Sequence, residues 1–217
     1  MPDDEKLERP LSFYFNEALN YAATLHRTQA RKGTQIPYVS HLLAVAGLVM
    51  EHGGDEDQVI AALLHDAVED QGGDHVGHEI RRRFGDQVFD IVMGCTDARV
   101  TPKPPWEARK KAYIERVKTE PASIKLVSAA DKLHNARAIL ADYRTLGEKL
   151  WSRFNGGKDG TLWYYRALMT AFRQGEQTDG LRRLVDELER VVVELYRLAG
   201  VEMADSAIRR ASKPSAP

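Results

Sequence analysis

The chain has 217 residues, 43% of them hydrophobic and 29% charged, the make-up of one ordinary globular domain with room for a sizeable core. Its 31 basic and 32 acidic residues leave a net charge of −1, so no general field draws it to nucleic acid or to an anionic membrane; a phosphate-rich ligand would need local cations. The lone cysteine, Cys95, excludes an internal disulfide and reads as a packed thiol within Met93-Gly94-Cys95-Thr96. The segment Met1–Lys6 lacks the basic-then-apolar order of a signal peptide, and no apolar run approaches the ~20 residues that span a bilayer. A cytoplasmic protein with no membrane association is expected.

In chain order the apolar residues recur at helical spacing, with no sustained strand alternation. A first helix is predicted over residues 11–30, with Phe15, Leu19, Ala22 and Leu25 on one side. Arg31-Lys32-Gly33-Thr34-Gln35-Ile36-Pro37 breaks it. Ser40 suits the N-cap of a second helix through Met50, which stops at Gly53-Gly54. Asp55 and Gln58 form the pattern of a capping box for a third helix, running to about Glu69. Shorter helices are predicted over residues 77–84 and 87–93, parted at Gly85-Asp86. The prolines of segment 101–105 make it a non-helical connection. Helices resume over 106–118 and from Pro121 to about Tyr143. A flexible loop is expected over 155–160, followed by helices over 161–172 and 181–198 and a disordered tail over 212–217. The organisation expected is an all-α single domain over residues 11–200, with an extension at 1–10, a tail at 201–217, and no internal repeat.

The sharpest chemical feature is His65-Asp66-Ala67-Val68-Glu69-Asp70, at the end of the apolar run Val59–Leu64. On an unbroken helix His65 and Glu69 would lie about 40° apart, and all four ionisable groups would fit an arc of about 140°. Clustered carboxylates repel, and a divalent cation would relieve them. The alternative is a solvated helix end, although acidic groups there oppose the helix dipole. His41 opens the apolar stretch Leu42-Leu43-Ala44-Val45-Ala46, where it is either a hydrogen-bonded core residue or a ligand. Asp131 lies in the apolar helical stretch Ala129–Asn135, where a carboxylate is expensive unless paired or metal-bound, and Asn135 shares its face. His134, about 60° from Asp131, is the alternative ligand there. Two imidazoles and two carboxylates suit Mn²⁺, Fe²⁺ or Zn²⁺ better than Ca²⁺ or Mg²⁺.

The order His41, His65-Asp66, Asp131 resembles the HD superfamily of metal-dependent phosphohydrolases. Arg31-Lys32-Gly33-Thr34, Pro37-Tyr38, Glu69-Asp70, Phe84-Gly85, Gly94-Cys95-Thr96 and Lys125 through Arg137 narrow the resemblance. They point to the hydrolase domain of RelA/SpoT-type alarmone enzymes and their stand-alone small relatives, over roughly residues 15–145. The resemblance implies a helical bundle with one Mn²⁺, held by His41, His65, Asp66 and Asp131 at its centre. It also implies removal of the 3′-pyrophosphate from guanosine tetra- or pentaphosphate. Glu69 and Asp70 would position and deprotonate water, Arg31 and Lys32 would contact substrate, and Asn135 would contact the nucleotide. The region after Asn135 departs from the long enzymes; there Lys158 is a candidate phosphate contact, and Trp163-Tyr164-Tyr165 either meets a base or fills the core. The partner expected is a small nucleotide, not nucleic acid, with the oligomeric state left open. A phosphatase of another nucleotide (the 2′-phosphate of NADPH or a nucleoside monophosphate) would use the same groups. A non-catalytic nucleotide sensor would have lost a ligand or the Glu-Asp pair, and none is missing.

Overall fold

The computed structural model describes residues 11–97 and 104–203; the expectations for the N-terminal extension, for 101–103 and for the tail over 212–217 lie outside the described residues. Every regular element among the described residues is helical, as the apolar spacing predicts. Two compact units divide the chain at Arg99–Val100.

The first unit holds α1 (Phe13–Leu25), α2 (Val39–Glu51), α3 (Glu56–Leu64), α4 (Ala67–Gln71) and α5 (Gly73–Cys95). Ser12 caps α1 by accepting from Tyr14 N–H. The helix ends at Leu25 instead of reaching residue 30, because the chain folds back on itself. Tyr38 N–H donates to the Gln29 carbonyl (2.9 Å) and Arg31 N–H to that of Ile36 (2.8 Å), around an isolated antiparallel bridge between Ala30 and Pro37. Gly33, at φ 74°, takes the left-handed conformation at the tip, and the Thr34 N–H closes the turn on the Arg31 carbonyl (3.0 Å). Ser40 is not the cap of α2. The Pro37 carbonyl already accepts Ser40 N–H (3.1 Å), so the helical turn starts at Tyr38, which makes no side-chain capping bond. The Asp55–Gln58 capping box of α3 forms as predicted. Residues Val59 through Leu64 are all buried, so this stretch of α3 is apolar on every side and its packing, worth roughly 1.5–3 kcal/mol per large side chain, anchors the unit. The third helix does not continue to Glu69: it stops at Leu64, and α4 begins at Ala67. In α5 the predicted break falls at Gly85, where φ is 89° inside an otherwise helical run.

The second unit holds α6 (Trp106–Thr119), α7 (Ala122–Leu146), a 3₁₀ helix (Gly147–Arg153), α8 (Gly157–Phe172) and α9 (Asp179–Leu198). Helix α7 is its spine, with Leu126, Val127, Ala129, Ala130, Leu133 and Ala136 buried. It pairs with α9 through Arg137–Glu187 and Arg144–Glu194 (3.5 Å); the equal offsets make the two helices parallel. The segment 155–160 is not a loop throughout, because α8 starts at Gly157. The Trp106 ring explains this. It lies where a side chain at Gly156 or Gly160 would be, 2.6 Å from an ideal Cβ at Gly156 and 3.2 Å from one at Gly160. Tyr164 and Tyr165 are buried in this unit, and Trp163 is half-buried with its ring edge toward Trp106. No described helix is long and apolar enough to cross a membrane.

Gly156→Ala is therefore expected to cost about 1–3 kcal/mol in urea unfolding, the usual penalty for overpacking. In a Trp106→Leu background the same substitution should cost little. An equal loss in both backgrounds would show that Trp106 does not require this glycine.

Candidate metal centre

The break between α3 and α4 places two of the site's side chains. When a helix stops, its last carbonyls lose their partners. The Ala62 carbonyl takes the His65 Nδ1–H at 2.8 Å, which assigns the proton to Nδ1, since the carbonyl only accepts. Nε2 is then the nitrogen available to a metal ion, the arrangement in which a metal-ligating histidine is held by its other nitrogen. Asp66 occupies the N-cap position of α4 but makes no capping bond. Its Oδ2 instead accepts from the Tyr38 hydroxyl (2.5 Å) and lies 2.9 Å from His65 Nε2 and 3.6 Å from His41 Nε2.

His41 reaches the same point from the first turn of α2. Its ring is fully buried and meets that of His65 edge-on at 5.2 Å, while His65 is 2% exposed. One ligand atom from each of His41, His65 and Asp66 lies within 4.8 Å of the others, the one such group among the described residues. A bare imidazole nitrogen 2.9 Å from a carboxylate oxygen needs positive charge between them, from a proton or a metal ion. The mixed N/N/O donors suit a divalent transition metal. The residues present fit such an ion.

The neighbouring groups of the predicted site are placed as follows. Glu69, on α4, accepts the Asp97 main-chain N–H (3.2 Å). Asp70 is exposed; its Oδ2 accepts from Gln29 Nε2 (2.8 Å), and its N–H donates to the Asp66 carbonyl (3.0 Å). Desolvation of its carboxyl raises the Asp70 pKa above the usual carboxylate range, with the Asp66 and Glu69 charges adding and the Gln29 hydrogen bond opposing. Arg31 lies over the Tyr38 ring, 5.6 Å from its centroid, and Lys32 is exposed beside it. The turn at Gly33 thus brings Arg31 to a residue bonded to Asp66.

Asp131 belongs to the second unit. It is buried on α7, with Oδ1 accepting from Asn135 Nδ2 (2.5 Å) and Oδ2 from Lys132 Nζ. His134 is half-buried on the same helix. Lys158 pairs with Glu148 (2.8 Å), which also accepts from Tyr143, so a role on substrate requires it to leave that carboxylate. Sequence reasoning noted Tyr38 as part of a motif but not as a partner of Asp66. The 28-residue separation carries no periodicity that would reveal the contact.

Residues 18–162 match the model of the HD domain family. The guanosine-3′,5′-bis(diphosphate) 3′-pyrophosphohydrolase MESH1 of Xenopus tropicalis is 40% identical over 126 residues, 57% of this chain and 68% of that protein. The guanosine-3′,5′-bis(diphosphate) 3′-pyrophosphohydrolase of Aquifex aeolicus is 33% identical over 142 residues, 63% of this chain and 20% of that longer protein. A solved metazoan ortholog of SpoT, which hydrolyses ppGpp, superposes with a TM-score of 0.67 at 29% identity, covering 90% of this chain and 100% of the other. A solved protein of Listeria monocytogenes EGD-e superposes with a TM-score of 0.64 at 34% identity, covering 72% and 99%.

Tyr38→Phe should leave the unfolding midpoint nearly unchanged while weakening binding of Mn²⁺ or Zn²⁺ about 10- to 100-fold, the usual effect of losing a hydrogen bond to a ligand. Titration calorimetry on the full chain measures it. Unchanged affinity would remove Tyr38 from the site.

Proposed function

This chain belongs to the HD domain family, and on that premise we propose that it is a metal-dependent phosphohydrolase that removes the 3′-pyrophosphate of guanosine tetra- and pentaphosphate. The observation that carries the reading is the convergence of His41, His65 and Asp66, with Glu69 and Asp70 on the turn that follows. The substrate follows from the activity named for the relatives. In this reading His41, His65, Asp66 and Asp131 hold one divalent ion, Mn²⁺. When bound, such an ion polarises the phosphoryl group and acidifies water.

The protein's own groups do the rest. Glu69 and Asp70 orient the attacking water, and Glu69 accepts its proton as the oxygen bonds to the phosphorus attached to O3′. The P–O3′ bond breaks and O3′ takes a proton, leaving GDP (or GTP) and pyrophosphate. Arg31 and Lys32 supply the local cations that a chain of net charge −1 otherwise lacks, and the planar guanidinium of Arg31 can bond phosphate oxygens in pairs. Asn135 contacts the nucleotide, and Lys158, released from Glu148, adds charge at a phosphate. A cytoplasmic location belongs to the same proposal, since the substrate is a free nucleotide.

Glu69→Gln should keep the fold and the metal while lowering kcat at least ~10²-fold, because the near-isosteric amide cannot take a proton. Loss of metal together with activity would make Glu69 a ligand instead.

The substrate assignment is tested with the Mn²⁺-loaded chain on guanosine tetraphosphate, NADPH, nucleoside monophosphates and a generic phosphate ester. The highest kcat/KM is expected on the tetraphosphate, and Arg31→Ala should depress it strongly without loss of metal. A tenfold preference for NADPH or a monophosphate would overturn the alarmone assignment and leave the phosphohydrolase standing.

A further inference from the structure

Gln29 lies at the junction of two strands of contact around the site. Its side-chain oxygen accepts from His26 Nδ1 (2.7 Å) and from Gln71 Nε2 (2.5 Å), and its side-chain nitrogen donates to Asp70 Oδ2 (2.8 Å). An amide has one accepting and one donating end. With two donors on the oxygen, the nitrogen can only face Asp70. The main chain of Gln29 is tied down as well: its N–H donates to the His26 carbonyl (3.0 Å) and its carbonyl accepts from Tyr38 N–H (2.9 Å).

His26 completes the support. It is 2% exposed and stacks on the Tyr38 ring, with centroids 5.2 Å apart and planes 17° from parallel. Since Gln29 Oε1 only accepts, the His26 proton sits on Nδ1. Burial lowers the His26 pKa, against the Gln29 hydrogen bond and the charges of Asp66 and Asp70, so the ring acts as a neutral donor.

We propose that Gln29, braced by His26 and Gln71, is a positioning residue that holds the Asp70 carboxylate toward the His41–His65–Asp66 cluster. This rests on the reading of Asp70 as a catalytic group. A single hydrogen bond from a neutral amide adds only modestly to folding, so stability alone does not account for this contact. What the Asp70 carboxylate needs is restraint. Asp66 and Glu69 both repel it, and an unrestrained side chain would swing into water. A lysine or arginine at position 29 would also hold it, but would neutralise the negative charge that water activation requires. The neutral amide orients without neutralising.

The test is a double-mutant cycle on the full Mn²⁺-loaded chain, assayed on whichever nucleotide it turns over fastest. Gln29→Met keeps length and shape but removes donor and acceptor. It should lower kcat about 10- to 100-fold, the scale expected for a small misplacement of a catalytic group, with KM, metal content and unfolding midpoint nearly unchanged. Gln29→Glu, which places an oxygen where the donor was, should fall at least as far. In an Asp70→Asn background, Gln29→Met should change kcat less than twofold, because a residue that acts through Asp70 has nothing left to orient. A full additive loss in that background, or wild-type kcat for Gln29→Met beside an impaired Asp70→Asn, would overturn the proposal alone. Wild-type kcat for Asp70→Asn would overturn the catalytic reading of Asp70, and this proposal with it. Should Gln29→Met fail to fold, Gln71→Leu carries the same cycle. It removes one of the two donors that fix the amide, and is expected to lower kcat several-fold in the wild-type background and not in Asp70→Asn.

Discussion

The end of α3 at Leu64 is the constraint on which the first unit's chemistry depends. Had the helix continued, the Ala62 carbonyl would accept the main-chain N–H of residue 66, and His65 would be an ordinary side chain on a helical surface. With the ladder interrupted, that carbonyl takes the imidazole proton and turns Nε2 toward Asp66. The same interruption lets Asp66 sit at an N-cap position while its carboxylate is spent elsewhere, on Tyr38 and the two imidazoles. The apolar run Val59–Leu64, itself buried, holds the end of α3 so that the buried imidazoles of His41 and His65 converge on the half-buried Asp66. The strong, non-directional packing of a six-residue core segment thus sets the geometry of weaker, directional contacts at its end.

The hairpin over residues 29–38 is the second support, and it is built almost wholly from main chain. Two cross-links, Tyr38 N–H to the Gln29 carbonyl and Arg31 N–H to the Ile36 carbonyl, set the height of Tyr38 beside Asp66 and bring Arg31 over the Tyr38 ring. Main-chain hydrogen bonds fix this register whatever side chains the exposed tip carries. Lys32, Gln35 and Ile36 are accordingly exposed, and Arg31 is the one cation of the loop turned back onto the site's own ring.

Much of the fold was legible in the residues because it follows local rules. The capping box at Asp55–Gln58, the break at Gly85 and the helical spacing of α6, α7 and α9 each depend on neighbours within a few positions. What escaped depends on partners far along the chain. Apolar spacing alone carries the first helix to residue 30, because nothing local announces that Gln29 will pair with Tyr38. The start of α8 at Gly157 has no local signal, since Gly156-Gly157 and Gly160 look like loop residues, and it is Trp106, some fifty positions earlier, that lies against Gly156 and Gly160. The unbroken wheel expected through Glu69 differs from the structure in its geometry, as the helix stops at Leu64. The chemistry it pointed to, a histidine and carboxylates facing one region, is present in His65 and Asp66 with His41. The contacts of Gln29 and Tyr38 carried no sequence signal, because hydrogen bonds across 41 and 28 residues leave no period.

The parallel run of α7 and α9 bears on how the second unit folds. Parallel neighbours cannot be joined by a tight turn. The chain must travel back the length of the pair, which the 3₁₀ helix and α8 accomplish. Residues 50 apart in sequence must therefore meet before the two ion pairs and the apolar seam between them can form. The helices themselves form in about a microsecond, whereas closing so long a loop precedes any reward from contact. The speed of assembly in this half of the chain is thus governed by a diffusive search between distant segments, slower than in an up-and-down bundle of equal helix content.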